Sequence, residues 1–328
     1  GGDRAEPRRP HHRMNRRLLL LAGPTAVGKS AVALHLATQR GGEIVSVDSM
    51  QVYRGLDIGT AKPSAADRRR VPHHLVDIVD IADSFDAAQF VERAEAAMDD
   101  IRRRGRLPIL CGGTGLYFKA LLEGLGSAPA GTPALRRELE STPLPRLLEE
   151  LAAADPETYA RIDRANPRRV IRAVEILRLT GAAGERLRAP WSRPSAGGPQ
   201  PGFFALERSR EDLAGRIDRR VEAMFRDGLV DETRELMGRG LERNRTALQA
   251  IGYRQVVEHL RGQRGRPETV RLVQQRTRQF ARRQHNWLRR HLPVTWVACG
   301  PDERPQDVAE RVAAAWATVV KGAPRAED

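Results

Sequence analysis

A glycine-rich loop near the start of the chain has the residue types and spacing to hold a phosphate group. It fits the pattern G-x-x-x-x-G-K-[ST], with an apolar run from Leu18 to Ala22 before it and a helical pattern from Ala31 to Gln39 after it. Glycines let the backbone approach phosphate oxygens, the helix start presents N–H groups, Lys29 adds charge, and the Ser30 hydroxyl can ligate Mg²⁺. The pattern does not identify the phosphate compound. The loop consists of Gly23, Pro24, Thr25, Ala26, Val27, Gly28, Lys29 and Ser30.

An acidic side chain follows the next predicted strand. Residues Glu43 to Val47 alternate as a strand does and are followed by Asp48. This places Asp48 at the carboxyl end of a parallel strand beside the loop, where open α/β sheets bind ligands. Asp48 could bind a metal, orient water, act as a general base or cap a helix. The irregular stretch from Met50 to Pro63 is long for a compact domain, which favours a functional loop.

A third candidate turn follows the strand predicted from Leu107 to Cys111. It runs from Gly112 to Gly115 and leads into a helical pattern from Leu116 to Glu123, which repeats the strand, glycine turn and helix of the phosphate loop. Thr114 would then project into the same crevice. Tight packing could equally require these glycines, and the sequence leaves both alternatives open.

The remaining segments differ in character. A short strand is predicted from His73 to Val79, and Ser84 is predicted to cap a helix from Asp86 to Arg104. A Pro/Gly-rich return linker is predicted from Ala189 to Pro201. The predicted organisation is a disordered leader (1–15), an α/β core (16–125), a helical insertion (126–201), a return to the core with basic helices (202–321) and a disordered tail (322–328).

The balance of charge favours an anionic partner. The net charge is +14, and between Arg239 and His291 fourteen arginines are set against three acids, an excess of eleven. Aromatic and amide side chains such as Phe280, Gln284 and Trp287 are interleaved with these arginines, which suits an RNA backbone with bases splayed onto the protein. A solvated basic face is the alternative.

Bulk composition narrows the class of protein. The chain has 328 residues, of which 40% are hydrophobic, enough for one large or two ordinary domains with a real core. No apolar run has the length of a membrane span and the start lacks a signal-peptide core, so we expect a cytoplasmic protein without a membrane partner. Its two cysteines, Cys111 and Cys299, are expected to be free thiols.

Together these motifs resemble one family, the bacterial tRNA dimethylallyltransferases (tRNA isopentenyltransferases). The resemblance spans about Arg17 to Thr318, and the stretch from Asp48 to Pro63 is its most specific part. It implies an α/β fold: a P-loop NTPase-like parallel sheet core with a helical insertion domain and a basic helical C-terminal half. The other matching stretches are Asn166-Pro167-Arg168-Arg169-Val170, Ala250-Ile251-Gly252-Tyr253 and Arg282-Arg283-Gln284-His285-Asn286-Trp287-Leu288-Arg289.

The resemblance implies an activity and a set of catalytic roles. Family members move a dimethylallyl group from dimethylallyl diphosphate to the N6 amine of the adenosine immediately 3′ of the tRNA anticodon. The phosphate loop would hold the diphosphate, with Mg²⁺ on Ser30, and Asp48 would be the general base. Thr25 and Thr114 would hydrogen-bond around the reacting centre. Arg220 would reach the diphosphate, with Arg216, one turn earlier, as the alternative.

The resemblance also implies contacts with the tRNA anticodon stem-loop, over which the helical insertion closes in the family. The target base must be flipped out of its stack, and Ser49, Met50 and Gln51 would then read its edge. His285-Asn286 departs from the more apolar pair common before Trp287. We expect a monomer. The implied tRNA-binding residues are Asp48, Ser49, Met50, Gln51, Thr114, Arg136, Arg168, Arg169, Ile251, Gly252, Tyr253, Arg282, Arg283, Gln284, Trp287 and Arg289.

Two other classes of function fit part of the sequence. One is a P-loop small-molecule kinase or a prenyltransferase acting on free adenylate, and the other is a non-catalytic RNA-binding module or RNA-stimulated ATPase. A kinase would not need the basic segment from Arg239 to His291, and a binding module would not need Asp48 beside the loop. Both features together favour the tRNA prenyltransferase.

Overall fold

The computed structural model describes residues 18–129, 131–181 and 199–322. These residues form two compact units, one of residues 18–120 and 199–322 and the other of residues 121–129 and 131–181. The predicted leader (1–15), most of the predicted return linker (189–201) and residues 323–328 lie outside the described residues. The domain boundaries predicted from the sequence stay predictions.

The first unit is built on a six-stranded sheet in which every neighbouring pair of strands is parallel. The strand order is β3-β2-β4-β1-β5-β6. This sheet confirms the predicted α/β fold. The strands are β1 (Leu19–Ala22), β2 (Gly42–Val47), β3 (His73–His74), β4 (Leu107–Gly112), β5 (Phe203–Glu207) and β6 (Thr295–Ala298).

Helices connect and cover these strands. None in the described ranges is long and apolar enough to cross a membrane. The α-helices are α1 (Lys29–Arg40), α2 (Ala65–Arg70), α3 (Ala87–Arg103), α4 (Gly115–Glu123), α5 (Pro133–Ser141), α6 (Leu144–Ala154), α7 (Pro156–Arg161), α8 (Pro167–Thr180), α9 (Arg210–Arg226), α10 (Leu229–Gly238), α11 (Tyr253–Leu260), α12 (Arg266–His291) and α13 (Pro305–Gly322).

The core of the sheet unit lies on both faces of β1. Leu19, Leu20 and Leu21 are fully buried, as expected of a central parallel strand covered on both sides. On one face, α1 and α13 pack together through Val32, Val312 and their neighbours. The apolar run that precedes the glycine loop is therefore a core strand, which gives the loop a rigid base.

In the described part of the second unit, helices α5 to α8 share a small apolar core. Leu139, Leu147, Leu151 and Val174 are buried there. Each helix has a proline in its first turn, a position at which the missing N–H would have no partner in the helix. These prolines therefore mark helix starts.

Two local predictions were wrong. The strand predicted from His73 to Val79 ends at His74, because Leu75 and Asp77 have positive φ angles of 62° and 57° that turn the chain out of the sheet. The helix predicted to be capped by Ser84 is capped by Asp86, whose Oδ1 accepts hydrogen bonds from Ala88 N at 2.9 Å and Gln89 N at 3.0 Å.

Three adjacent strands end at the three candidate turns. In the sheet β4 lies between β2 and β1. The chain leaves β1 into the phosphate loop, β2 into Asp48, and β4 into the turn that contains Thr114. Because carboxyl ends of parallel strands share one edge of a sheet, the topology brings all three turns together.

We predict that Gly112→Ala destabilises the fold. A Cβ at Gly112 would lie 2.0 Å from the Val47 carbonyl oxygen, which is backbone and cannot move aside. Separating β2 from β4 should cost about 1–3 kcal/mol of the free energy of unfolding. The control is Gly238→Ala at the end of α10, since the added methyl meets no described atom within 4 Å other than its chain neighbours and the backbone of its own helix. The urea concentration at the midpoint of unfolding should be lower for Gly112→Ala but not for Gly238→Ala. Equal midpoints for the two variants would contradict the predicted clash.

Candidate active site

The phosphate loop is held in a strained, concave conformation. Ala26 and Gly28 have φ angles of 64° and 108°, in the left-handed region where backbone N–H groups can converge on an anion. The Lys29 ammonium folds back over the loop and donates to Pro24 O at 3.3 Å. Burial lowers the pKa of Lys29, an effect that the nearby Cys111 and Asp48 partly offset. Ser30 is exposed on the first turn of α1.

Two arginines hold the outer side of this loop. Arg216 Nε, on α9, donates to Ala26 O at 2.9 Å, and Arg208 Nε donates to Val27 O at 2.8 Å. A Cβ at Gly28 would lie 3.7 Å and 3.8 Å from their respective Nη2 atoms, so both guanidinium groups flank the loop. Arg208 was missed from the sequence. It is the first residue after β5, the neighbour of β1, and that position is the signal that could have found it.

Arg220 lies one helical turn after Arg216 on α9. Burial lowers the pKa of Arg220, and the charge of Asp48 acts in the opposite direction. Lys29 also feels both Asp48 and Arg220. The structure therefore brings together Lys29, Asp48 and Arg220, although Arg216 is the one bonded to the loop.

Asp48 uses its two carboxylate oxygens differently. Oδ1 accepts hydrogen bonds from Met50 N at 2.8 Å and Gln51 N at 3.2 Å, which hold the turn after β2. No helix begins there, so the helix-cap alternative is wrong. None of the residues that the structure describes donates a hydrogen bond to Oδ2. Oδ1 thus fixes the orientation of the carboxylate, and Oδ2 is available to accept a proton.

Thr114 ties the third turn to the Asp48 turn. Its Oγ1 accepts a hydrogen bond from Ser49 N at 3.2 Å, and its backbone N donates to Val47 O at 3.2 Å. The threonine therefore does project toward Asp48. The glycines on either side serve packing, because a Cβ at Gly113 would lie 2.3 Å from Gln284 Nε2 and one at Gly115 would lie 2.1 Å from the Trp287 ring.

The Gln284 side chain joins the first and third turns. Its Oε1 accepts a hydrogen bond from Thr25 N at 2.8 Å, and its Nε2 donates to Gly113 O at 2.9 Å. The sequence predicts Gln284 as a tRNA contact, but in the structure both ends of its amide bind protein backbone. Gln284 is therefore a positioning residue that sets the phosphate loop against the Thr114 turn.

The irregular loop after Asp48 is held by buried partners. Gln51 Nε2 donates to Thr60 O at 3.2 Å, and Gln51 Oε1 accepts from Ser46 Oγ at 3.0 Å, so its amide spans the loop from inside. The Lys62 side chain is 2% exposed, and its ammonium donates to Tyr53 O at 2.5 Å and to Asp57 Oδ1 at 2.6 Å. Contacts of Ser49, Met50 and Gln51 with the edge of the target base stay a prediction. The Gln51 amide already makes hydrogen bonds within the protein.

Tyr253 holds the far end of this loop, which corrects its prediction as an RNA contact. Its side chain is 0% exposed, so its ring is not accessible to RNA. Its hydroxyl accepts from Gly59 N at 3.1 Å and donates to Glu232 Oε1 at 2.5 Å. Glu232 also accepts from Ile58 N at 3.0 Å, and burial raises the pKa of this carboxyl. Gly59 has no room for a Cβ, which would lie 2.4 Å from the tyrosine ring.

The outer face of α12 carries exposed positive charge. Arg278 pairs with Asp218 at 2.6 Å and Arg289 lies 3.4 Å from Glu207. His285 packs on the Trp296 ring at 4.8 Å, and burial lowers its pKa. Of the pair that departs from the family pattern, His285 therefore faces the protein and Asn286 is exposed. Ile251 is half-buried and Gly252 is buried. The exposed arginines of α12 with no acidic partner among the described residues are Arg266, Arg271, Arg276, Arg282, Arg283 and Arg290.

In the helical unit the predicted tRNA-binding arginines differ in their surroundings. Arg136 makes a bidentate contact with Glu175, at 2.8 Å and 2.9 Å, and the Glu175 carboxylate is 0% exposed. Removing Arg136 would leave a buried charge with one fewer partner, so this arginine has a structural role whether or not it touches RNA. Arg168 and Arg169 are exposed on the first turn of α8. Their tRNA contacts stay predictions.

Comparison with known proteins identifies the family. A family model described as IPP transferase matches residues 51–291, well over half of the chain. The chain belongs to the IPP transferase family. A tRNA dimethylallyltransferase from Geobacter metallireducens is 46% identical over 295 residues, covering 86% of this chain and 92% of that protein. Another, from Anaeromyxobacter dehalogenans, is 46% identical over 303 residues, which cover 99% of the length of that protein.

Solved structures agree with the family assignment. The tRNA isopentenylpyrophosphate transferase from Bacillus halodurans is 37% identical with a TM-score of 0.66, covering 94% of this chain and 99% of that one. A eukaryotic dimethylallyltransferase acting on tRNA shares the fold, with a TM-score of 0.74 at 24% identity, covering 95% of this chain and 81% of that one. The predicted family resemblance is confirmed. Since the family model begins at residue 51, the phosphate loop and Asp48 of this IPP transferase are identified by their own pattern and geometry.

We predict that Arg216→Ala weakens the binding of inorganic diphosphate. Losing a charged hydrogen-bonding group at the loop should lower the affinity about tenfold or more. The matched control is Arg219→Ala on the same helix, because Arg219 is exposed. Isothermal titration with Mg²⁺ and diphosphate measures both variants, and equal affinities would mean that Arg216 only braces the loop.

Proposed function

We propose that this protein transfers a dimethylallyl group from dimethylallyl diphosphate to the N6 amine of the adenosine immediately 3′ of the tRNA anticodon, and releases diphosphate. The names of its relatives and its membership of the IPP transferase family support tRNA prenylation. The nature of the donor and the position of the base come from the family resemblance, and the chemistry of the site fits them as follows.

One observation carries the proposal: a carboxylate with a free oxygen stands at the strand end next to a phosphate loop. Asp48 Oδ1 is held by two backbone N–H groups, while Lys29 and Arg220 lie within electrostatic reach of the carboxylate. A prenyl transfer to an amine needs phosphate contacts for the leaving diphosphate and a proton acceptor for the amine. This pairing is what the site offers. A kinase can use a carboxylate in the same way, so the basic segment and the family, rather than Asp48 alone, favour prenyl transfer over a kinase.

The proposed reaction breaks one bond and forms another, and these residues take part in it as follows. The bond between the allylic carbon and the diphosphate oxygen breaks, and its electron pair leaves with the diphosphate. Loop N–H groups, Lys29 and Arg216 stabilise the charge that develops there, which is usually the largest contribution to catalysis. A new bond forms between the allylic carbon and N6, and the proton of N6 passes to Asp48 Oδ2. Thr25 and Thr114 border the reacting centre.

The residues at the loop fit Mg²⁺ bound together with a diphosphate. Among the described residues no group of three or more His, Cys, Asp or Glu could hold a metal ion. Mg²⁺ commonly keeps several waters and takes one or two protein oxygens plus phosphate oxygens, so the exposed Ser30 hydroxyl is a suitable ligand. When bound, Mg²⁺ supplies charge neutralisation at the phosphate oxygens.

The RNA substrate is proposed to lie on the basic outer face of α12. The target base is stacked in the anticodon loop and must be flipped to bring N6 to Asp48. Exposed arginines such as Arg282 and Arg283 suit phosphate contacts, and Ser49 and Met50 stand beside Asp48 to contact the base. The helical unit is proposed to bind the anticodon stem through Arg168 and Arg169.

The proposal is tested by following an isotopic label. The protein is incubated with dimethylallyl diphosphate labelled in its hydrocarbon part, Mg²⁺, and tRNA with adenosine after the anticodon, with AMP and ATP as competing acceptors. We expect label on the tRNA alone, on the single adenosine 3′ of the anticodon, with one diphosphate released per label. Label on AMP or ATP, or none on any acceptor, would reject the proposal.

We predict that Asp48→Asn abolishes transfer without loss of the turn. The asparagine oxygen can still accept the hydrogen bonds of Met50 and Gln51, but the amide cannot take a proton. Single-turnover transfer should fall by about 100-fold or more, with tRNA affinity near that of the unaltered protein. Asp86→Asn is the control, because this aspartate caps α3 and its replacement should not change transfer. If Asp48→Asn transferred normally, Asp48 would be structural only.

A further inference from the structure

Phe280 is a large apolar side chain exposed on the basic face of α12. Its side chain is 38% exposed, and among the described residues only Leu116 and Leu179 are comparably exposed large apolar side chains. No other aromatic ring within the described ranges stacks on it. A single exposed phenylalanine is unremarkable in itself, so its surroundings decide its meaning.

The surroundings of Phe280 are cationic. The Arg283 guanidinium lies over its ring, 5.9 Å from the centroid, a cation–π arrangement that orients both side chains. Arg276, one turn earlier on the same side of α12, is exposed without an acidic partner among the described residues. An aromatic ring beside an arginine plane, with a second exposed arginine one turn away, is the arrangement that binds unpaired bases: the ring stacks on the base and the cations contact the phosphates.

Helix geometry connects this pair to the active site. Phe280 precedes Trp287 by seven residues, which places the two side chains about 20° apart around α12 and about 10.5 Å apart along it. Trp287 packs against Gly115, next to Thr114, and Gln284 between them contacts Thr25 and Gly113. The helix face that carries Phe280 therefore leads to the turns where the reaction is proposed to occur.

We propose that Phe280 and Arg283 form a stacking platform for an unpaired nucleobase of the RNA substrate, close in sequence to the base that reacts. With stacked bases about 3.4 Å apart, the distance along α12 corresponds to about three nucleotides. The platform holds a neighbouring nucleotide while the target base is extruded, so it contributes to RNA binding and to the register of the loop. This inference rests on the proposed function.

Phe280→Ala, Phe280→Tyr and the control Gln275→Ala test the platform. Gln275 is exposed on another side of the same helix. Phe280→Ala should weaken binding of an anticodon stem-loop about tenfold, since a stacked base is lost, while Phe280→Tyr and Gln275→Ala bind as the unaltered protein does. Because stacking carries no charge, the dependence of log affinity on log salt should keep its slope in Phe280→Ala. In Arg276→Ala the slope of log affinity against log salt should become shallower.

A second RNA and a fluorescent base make the test specific. Phe280→Ala should not change the affinity for a fully paired RNA duplex of the same length. With 2-aminopurine placed in turn at the loop positions, one position within about three nucleotides of the target should be quenched by the unaltered protein but not by Phe280→Ala. Equal losses for duplex and stem-loop, or no loss for either, would overturn the platform.

The outcome is separable from that of the proposed function. Label transfer by the unaltered protein is measured in parallel. If it transfers no label to tRNA, the proposed function fails. If it does, and Phe280→Ala leaves stem-loop affinity and quenching unchanged, only the platform fails. Thermal unfolding of Phe280→Ala confirms that the variant is folded, as expected for a substitution at an exposed position.

Discussion

The packing of α12 against two glycine turns is the contact on which the site depends. Gln284 can reach both Thr25 N and Gly113 O only because Gly113 has no side chain, and Trp287 can lie on the Thr114 turn only because Gly115 has none. Two hydrogen bonds and one ring contact thus determine the distance between the turn that would hold phosphate and the turn that borders Asp48. A displacement of about 1 Å in such a constellation can cost a hundredfold in rate, so these contacts matter more than their number suggests.

The same helix links the two halves of the proposed function. Gln284 and Trp287 pack against the glycine turns, and Phe280, on the same side of α12 about two turns before Trp287, is exposed. A base held at Phe280 would therefore lie near a site whose geometry Gln284 and Trp287 maintain. A second set of buried contacts, from Glu232 and Tyr253 to the backbone of the loop after Asp48, constrains that loop from its far end. The phosphate loop is therefore one part of a site held by helices far away in the sequence.

Much of the fold and of the candidate site could be predicted from the sequence, for physical reasons. Buried parallel strands have continuous apolar runs, and both the phosphate loop and Asp48 follow such runs directly, so their place at the sheet edge could be predicted. The roles of side chains that contact residues far away in the sequence could not be predicted. Gln284 and Tyr253 looked like RNA contacts because they lie in or beside the basic segment, and only the fold shows that one bridges two turns and the other is buried. Arg208 and Glu232 were missed because each holds the backbone of a loop far away in the sequence, although the place of Arg208 directly after β5 could have indicated it. The strand predicted from His73 to Val79 ends early because Leu75 and Asp77 have positive φ angles, and the one at Leu75 is uncommon for that residue type.

The position of Gln284 gives the most direct test of this site. In single-turnover experiments with preformed complexes of tRNA and protein, Gln284→Ala should slow transfer of the dimethylallyl group by about tenfold to a hundredfold, because the phosphate loop is no longer held against the Thr114 turn. The affinity for tRNA should stay close to that of the unaltered protein. A variant that binds tRNA weakly but transfers at the normal rate once saturated would contradict this, and would make Gln284 the RNA contact that its place in the sequence suggests.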